Sequence, residues 1–369
     1  MRVLGSELYQ SDLAAVTSLD LPWERLSGGC FLISGATGMI GSTLIDVLMK
    51  RNREQDLGCH IIALGRSEDK AQVRFDEYLR DDLFTFIKCD INRREDLARA
   101  EDVYSRAAES GPDFIFHAAS NTHPVAYAND PIGTVMTNIT GLNNLLDFAS
   151  QMGCSRFLFA SSNEIYGENR GDTELFDEEY CGYINCNTVR AGYPESKRAG
   201  EALCQAYIRQ KGLDVVILRF TRSFGPTLLP TDTKALSQFL KKGVAGEDIV
   251  LKSKGQQFFS YTYVIDAISG LLSCLLRGTC GEAYNIADIS CDITLRDLAQ
   301  IIAEYAGTKV VFELPDEVEK AGYSTATKAR LDSSKLQKLG WKAQFDIKTG
   351  VDHTIRILRE CGYGLMSHD

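Results

Sequence analysis

The chain has 369 residues, 44% hydrophobic and 24% charged, which suits one large globular domain or two intimately joined ones with ample apolar side chain for a core. The formal net charge is -10, with no basic stripe to track a phosphate backbone, so nucleic acid is excluded as an expected partner. Eleven cysteines are scattered without a CxxC pair, and Cys181 and Cys186 lack matching ligands nearby, so a reduced compartment and no metal are the expectation. The first ten residues lack an apolar core of signal-peptide length, and no uninterrupted apolar run would span a bilayer. A cytoplasmic protein with no membrane partner is expected.

Residues 1–27, containing Leu21-Pro22-Trp23, form an extension ahead of the first strand. Short apolar runs rich in β-branched and aromatic residues follow at Cys30–Ser34, His60–Leu64, Leu83–Lys88, Phe114–His117, Arg156–Ala160 and Val215–Leu218. Segments with helical spacing separate them, which predicts a parallel sheet covered by helices. Met39–Lys50 and Glu195–Lys211 are the most readable helices. From Thr221 the pattern is less regular: a helix over Ala235–Val244, a β-like stretch from Ile249 to Val264, then helices over Ile265–Arg277, Leu295–Ala306 and Ser333–Leu339. We expect residues 28–220, with return segments near 261–287, to form a dinucleotide-binding domain of the α/β, Rossmann-type doubly wound class. Residues 221–260 and 288–369 would form a smaller mixed α/β lobe that binds substrate.

After the first strand comes Gly35-Ala-Thr37-Gly38-Met39-Ile40-Gly41. Its glycines permit a tight turn, close approach to a pyrophosphate and packing of the next helix, whose N-terminus offers N–H groups to the anion. Folds that prefer NAD usually place an acidic residue at the end of the second strand, where this chain has Gly65-Arg66-Ser67. Arg66 either pairs with a 2′-phosphate or stacks on adenine, which tilts the expectation from NAD towards NADP. Asp90, after the third strand, is expected to accept from the adenine amino group, with Ile91 beside it among the cofactor-binding candidates. The extension of residues 1–27 has two places open to it, on the core or over the cofactor edge.

Tyr193 and Lys197 stand four residues apart. A phenol with an ordinary pKa of about 10 is a poor base at neutral pH, and an ammonium one helical turn away, together with the charge of an oxidised nicotinamide, would favour its phenolate. Ser162, at the end of the preceding strand, turns a common spacing into a candidate constellation.

With His117-Ala118-Ala119, Asn138, the Ser161–Gly167 segment, Arg219–Pro226, Tyr263–Asp266, Tyr284–Ile286 and Leu339–Trp341, the chain resembles an extended short-chain dehydrogenase/reductase of the NAD-dependent epimerase/dehydratase family. Arg190 through Arg198, with Glu201, is similar to UDP-glucuronate decarboxylases. The resemblance implies a tightly bound, recycled NAD or NADP held by the glycine loop, Arg66, Asp90, Ile91, Ala118, Ala119, Ser120, Asn138, Tyr193 and Lys197. It also implies a nucleotide-diphosphate sugar oxidised at C4, Ser162 sharing the hydrogen bond to the reacting hydroxyl, and a homodimer built on a four-helix interface.

Three reactions share the 4-keto intermediate. A 4,6-dehydratase needs a glutamate base, here Glu164, beside an aspartic acid; Asn163 occupies that second place and cannot donate as an acid. A decarboxylase acting on a nucleotide-linked glucuronate wants a neutral neighbour, which Asn163 supplies. A 4-epimerase is not excluded but leaves Glu164 unexplained. One departure concerns the substrate: Phe259 stands where the family's arginine would meet the diphosphate, while Arg222 replaces a usual asparagine. A relocated cation would explain both. Arg190, Arg222 and Arg330 are therefore the candidate substrate arginines. The rival of a different class is a catalytically silent, cofactor-holding regulatory subunit, against which Ser162, Glu164, Tyr193 and Lys197 argue.

Overall fold

The computed structural model describes residues 3–108, 113–122, 129–313 and 327–363, and at its centre lies the sheet that the alternating apolar runs predict. Seven strands stand in the order β3 (Phe84–Lys88), β2 (His60–Gly65), β1 (Cys30–Ser34), β4 (Asp113–His117), β5 (Arg156–Ser162), β6 (Val215–Phe220) and β10 (Ala283–Ile286). Every neighbouring pair is parallel. Strand order reverses between β1 and β4, which opens a crevice at their carboxyl ends. β1 is buried at all five positions because helices cover both faces. Phe31 and Ile33 enter one apolar cluster, Cys30 and Leu32 the other, hence the unbroken apolar run.

Polar residues hid the true strand ends. β5 runs past the expected Ala160, pairing Ser161 with Arg219 and Ser162 with Phe220, so two adjacent serines leave the strand on opposite faces. The helix Gly192–Lys211 starts three residues before the expected Glu195, with Pro194 in its first turn, where its missing N–H costs nothing. The glycine-loop helix, Met39–Gln55, continues beyond Lys50 until Asp56 turns left-handed at φ 49°.

The expected β-like stretch from Ile249 to Val264 divides in two, β8 (Ile249–Leu251) and β9 (Phe258–Tyr263). Gly255 turns the chain between them at φ +67°, where a Cβ would come within 2.8 Å of Arg296 and Leu251 side chains. Val264 opens the helix Val264–Arg277 instead of ending a strand, and the expected helix Ser333–Leu339 shortens to Ser334–Gln337. β9 is the hub of a second sheet, flanked by β7 (Arg222–Phe224), β11 (Asp292–Thr294) and β13 (Lys328–Ala329), while β8 pairs with β12 (Val310–Phe312). The chain steps from β6 into β7 across Thr221 alone, whose hydroxyl donates to the Ser260 carbonyl at 2.6 Å.

The described residues ahead of β1 pack on the core. The helix Glu7–Thr17 lies against Met39–Gln55, Val264–Arg277 and Ile347–Glu360. Tyr9 donates to Asp46 at 2.7 Å, and buried Asp12 accepts from Tyr263 at 2.6 Å and meets His353 Nδ1 at 2.8 Å. Trp23 lies under the Arg51 guanidinium, 4.7 Å away. Among the described residues, no helix is long and apolar enough to cross a membrane, and no cluster of three or more His, Cys, Asp or Glu could hold a metal ion. Apart from Cys361, the cysteines form no disulfide among the described residues.

Candidate active site

The crevice begins at the glycine loop. Gly35 has φ +71°, and a Cβ there would meet the Ala119 nitrogen at 2.7 Å, so the loop lies directly against the Ala118–Ala119 backbone leaving β4. A Cβ on Gly41 would come within 2.6 Å of the Gly35 carbonyl; only glycine lets this helix approach its own loop so closely. Gly38 is the N-cap and makes no side-chain capping bond, so no side chain claims the first-turn N–H groups. Thr37, Met39 and Ile40 line this turn, and the Met39 carbonyl accepts from Thr43 at 2.8 Å. The donor set and the narrow glycine cradle fit a dinucleotide pyrophosphate.

The remaining cofactor candidates fall into three groups. Arg66 is exposed at the end of β2. Asp90 is half-buried and accepts from the Asn92 N–H at 3.1 Å, while Ile91 packs on Gly141 and receives the Asn144 amide on its carbonyl at 2.9 Å. Asn138 lies in a π-helical turn, Thr137–Gly141, with its amide donating to Ser196 at 2.9 Å and its oxygen accepting from Ser120 at 2.8 Å. Its side chain thus ties the segment after β4 to the tyrosine helix, and Ser196 in turn donates to the Tyr193 carbonyl at 2.8 Å.

Tyr193, Ser162, Glu164 and Arg190 converge at the end of β5. Tyr193 is buried and shares a hydrogen bond with Ser162. Ser162 Oγ also accepts from the Glu164 N–H at 3.2 Å, capping the short turn Asn163–Tyr166. One Arg190 nitrogen donates to both Glu164 carboxylate oxygens at 2.8 Å. Asn163 is buried beside them. Burial raises the Tyr193 phenol above its ordinary value; the Glu164 charge raises it further, while Ser162 and Arg190 oppose them. The protein's own groups therefore keep the phenol protonated, where the Tyr–Lys spacing had suggested a phenolate.

Lys197 explains the difference. Its ammonium donates to the Ala160 carbonyl at 2.7 Å and sits 4.9 Å from the Phe159 ring centroid, against 5.9 Å from that of Tyr193. Burial pulls it down to about 7, partly opposed by Cys204 and Glu201. His117, a residue with no expected role in the chemistry, completes the floor. It stacks on Phe159 at 5.9 Å, Nδ1 meets Ser34 Oγ at 2.8 Å, and buried Nε2 has no partner among the described residues. Burial, aided by Lys197, holds it well below the usual histidine range. Ser34, His117, Phe159 and Lys197 thus form a continuous path from the glycine loop to the tyrosine helix.

The other arginines lie across the small sheet. Arg222 stacks on Phe259, 3.7 Å from the ring centroid. Arg330 stacks on the adjacent Phe258 at 4.8 Å and donates to buried Asp292 at 2.7 Å. Consecutive strand residues face opposite ways, so the two arginines occupy opposite faces of β9. A second acid–base pair, easily mistaken for part of the chemistry, lies beneath Ser161: Ser161 donates to Glu201 at 2.5 Å, and Arg219 reaches both Glu201 oxygens at 3.0 and 2.7 Å.

A glycine cradle at the switch point and a tyrosine–lysine pair over the next two strand ends define an extended short-chain dehydrogenase/reductase. The chain belongs to the NAD dependent epimerase/dehydratase family, whose profile matches residues 31–287. It is 28% identical over 333 residues to UDP-glucuronic acid decarboxylase 1 of Xenopus tropicalis, spanning 89% of this chain and 72% of that one. Its fold matches dTDP-glucose 4,6-dehydratase from Streptomyces venezuelae, solved with NAD bound, with a TM-score of 0.75, 25% identity and coverage of 90% and 97%. UDP-glucose 4-epimerase from Thermotoga maritima, solved with UDP-glucose, shares the fold with a TM-score of 0.75 and 23% identity, covering 90% and 99%.

Proposed function

We propose that the protein binds a nicotinamide dinucleotide, oxidises C4 of a nucleotide-diphosphate sugar, decarboxylates a UDP-glucuronate-like substrate and re-reduces the product. The glycine loop and Asn138 region, with Asp90, Lys197 and Arg66, would hold the dinucleotide; exposed Arg66 supports acceptance of NADP as well as NAD. When bound, the dinucleotide would supply the hydride acceptor and later donor and, in its oxidised form, a further positive charge that favours the Tyr193 phenolate.

Tyr193 takes the proton of the C4 hydroxyl, with Ser162 sharing that hydrogen bond. The resulting ketone stands β to a C5 carboxylate. As the C5–carboxyl bond breaks, its electron pair moves onto the C4 oxygen, where Tyr193 and Ser162 are placed to stabilise the enolate. A phenol held in its protonated form suits this second task.

The charge around the sugar position carries the choice of decarboxylation. Glu164 is already claimed by Arg190, and its neighbour Asn163 is neutral, so a substrate carboxylate meets no bare anion. A dehydratase would need Glu164 unencumbered and an acid at position 163. The decarboxylase names of the relatives support the same choice. The proposal extends to a homodimer in a reducing, cytoplasmic setting. Exposed Ile132, Met136 and Val189, 77%, 46% and 67% accessible beside the tyrosine helix, supply apolar surface for it, and light scattering of the purified protein tests it.

Mass spectrometry of products formed from UDP-glucuronate and, separately, UDP-glucose, with NAD or NADP supplied, tests the reaction. Loss of carbon dioxide from the glucuronate is expected. Loss of water from the glucose, or an epimer of unchanged mass, would replace this reading by dehydration or epimerisation.

A further inference from the structure

Arg222 is the cation of the site that the proposed chemistry leaves without work. Arg190 is matched by Glu164, Arg219 by Glu201 and Arg330 by Asp292. Arg222 makes no ion pair with any described residue, and its Nη1 is shut off from solvent with no hydrogen-bond partner among them. A buried guanidinium donor left unmatched is costly, which makes its retention informative.

Its setting is built by two neighbouring strands of the second sheet. β7 places Arg222 opposite Tyr261 of β9, and Phe259 lies under the guanidinium at 3.7 Å. The ring covers one face of the guanidinium and fixes its plane but accepts no hydrogen bond in that plane, so the in-plane N–H groups stay directed outward. Glu164 and Arg190 act electrostatically on both Arg222 and Tyr193, so Arg222 lies within electrostatic reach of the group around Tyr193. With Glu164 claimed by Arg190, the group of three carries one surplus positive charge.

We propose that Arg222, held flat on Phe259, is a specificity-determining residue that receives an anionic oxygen of the substrate. Two parts of one nucleotide sugar offer this chemistry, a carboxylate on sugar C5 and the diphosphate. The inference rests on the nucleotide-sugar reading and deepens it. A bound oxyanion gives Nη1 its missing partner and cancels the surplus charge through charge-assisted hydrogen bonds that a guanidinium makes in pairs.

Calorimetric titration of the NAD-loaded protein with UDP, UDP-glucose and UDP-glucuronate tests this without reference to the reaction catalysed. Arg222→Met is compared with the unaltered protein, and Arg222→Gln, neutral but polar, is the second variant should the first fail to fold. NAD affinity and melting temperature verify an intact fold. Affinity should fall by roughly 10- to 100-fold. A fall for all three ligands assigns the diphosphate, and a fall confined to UDP-glucuronate assigns the carboxylate. Affinities within twofold of the unaltered protein for every ligand overturn the assignment while leaving the nucleotide-sugar reading intact. Failure of the unaltered protein to bind any of the three overturns that reading and this inference together.

Discussion

Two glutamate–arginine pairs stand behind neighbouring serines at the end of β5, and they differ in everything but composition. Ser161 points to Glu201 and Arg219, whose side chains are 13% and 10% exposed; Ser162 points to Tyr193 and the turn of Glu164, which pairs with Arg190 at 27% and 38%. Arg219 also donates to the Tyr166 hydroxyl at 3.0 Å, so the inner pair is locked on several sides. Strand alternation puts one pair in the core and the other in the crevice. Identical charges thus serve as a strut on one face and as reactive equipment on the other, and the tyrosine helix supplies a residue to each.

The largest expected effect separates the two faces outright. Tyr193→Phe should lower turnover by about 10³-fold while thermal melting stays close to that of the unaltered protein; retained turnover would remove Tyr193 from the chemistry. The opposite pattern is expected for Glu201→Leu, which strands a buried guanidinium and should cost about 3 to 5 kcal/mol in denaturant unfolding. Glu164→Gln should lower turnover roughly tenfold or more but change stability by less than about 1 kcal/mol, since its pair is partly solvated. If Glu164→Gln destabilised as much as Glu201→Leu, the contrast between the faces would collapse.

Lys197 lies between them and sharpens the contrast through pH. Its value falls to about 7 in the fold, against about 10.4 in an unfolded chain. Between those values the unfolded chain holds the proton and the folded chain does not, so this residue's contribution to stability rises with pH. The slope is up to about 1.4 kcal/mol per unit; below about 7 both forms are protonated and the contribution is flat at its lowest. Unfolding of the unaltered protein minus Lys197→Met, followed from pH 6.5 to 9.5 (about the span between the two values), should show that rise. A level difference would mean that the ammonium is not buried as described. The smallest effect belongs to the rim: Arg66→Ala should weaken NADP by about threefold to tenfold and leave NAD nearly unchanged, as read by cofactor titration.

The sheet was legible because a strand covered on both faces is mostly apolar, as residues 30–33 and 215–218 are, within strands buried at every position. The glycine loop and the tyrosine helix announced themselves through local spacing. Long-range pairing did not: the destination of Asp12 depends on Tyr263 and His353, and no local pattern near residue 12 encodes either. The contact of Arg222 with Phe259 was half legible, since two unexpected residue types invited a connection while only the pairing of β7 with β9 brings them together. How burial and Glu164 hold the Tyr193 phenol up was not legible from spacing, because both act through space and leave no periodic signature.

The helix Glu7–Thr17 gives the chain a particular history during synthesis. Its apolar residues Leu13 and Val16 are fully buried in the finished protein, yet Asp12 closes onto His353 and Ser6 donates to Glu360 at 2.5 Å. A segment made early thus waits for one made 341 residues later before its docking site exists. Until then its apolar face is a surface for chaperones or for misassembly. The parallel sheet can gather strand by strand as it emerges, but the clasp that seals it closes only after the segment bearing His353 and Glu360 has emerged. Slowing of the final folding phase on changing Asp12 would therefore report on that late closure and not on the assembly of the sheet.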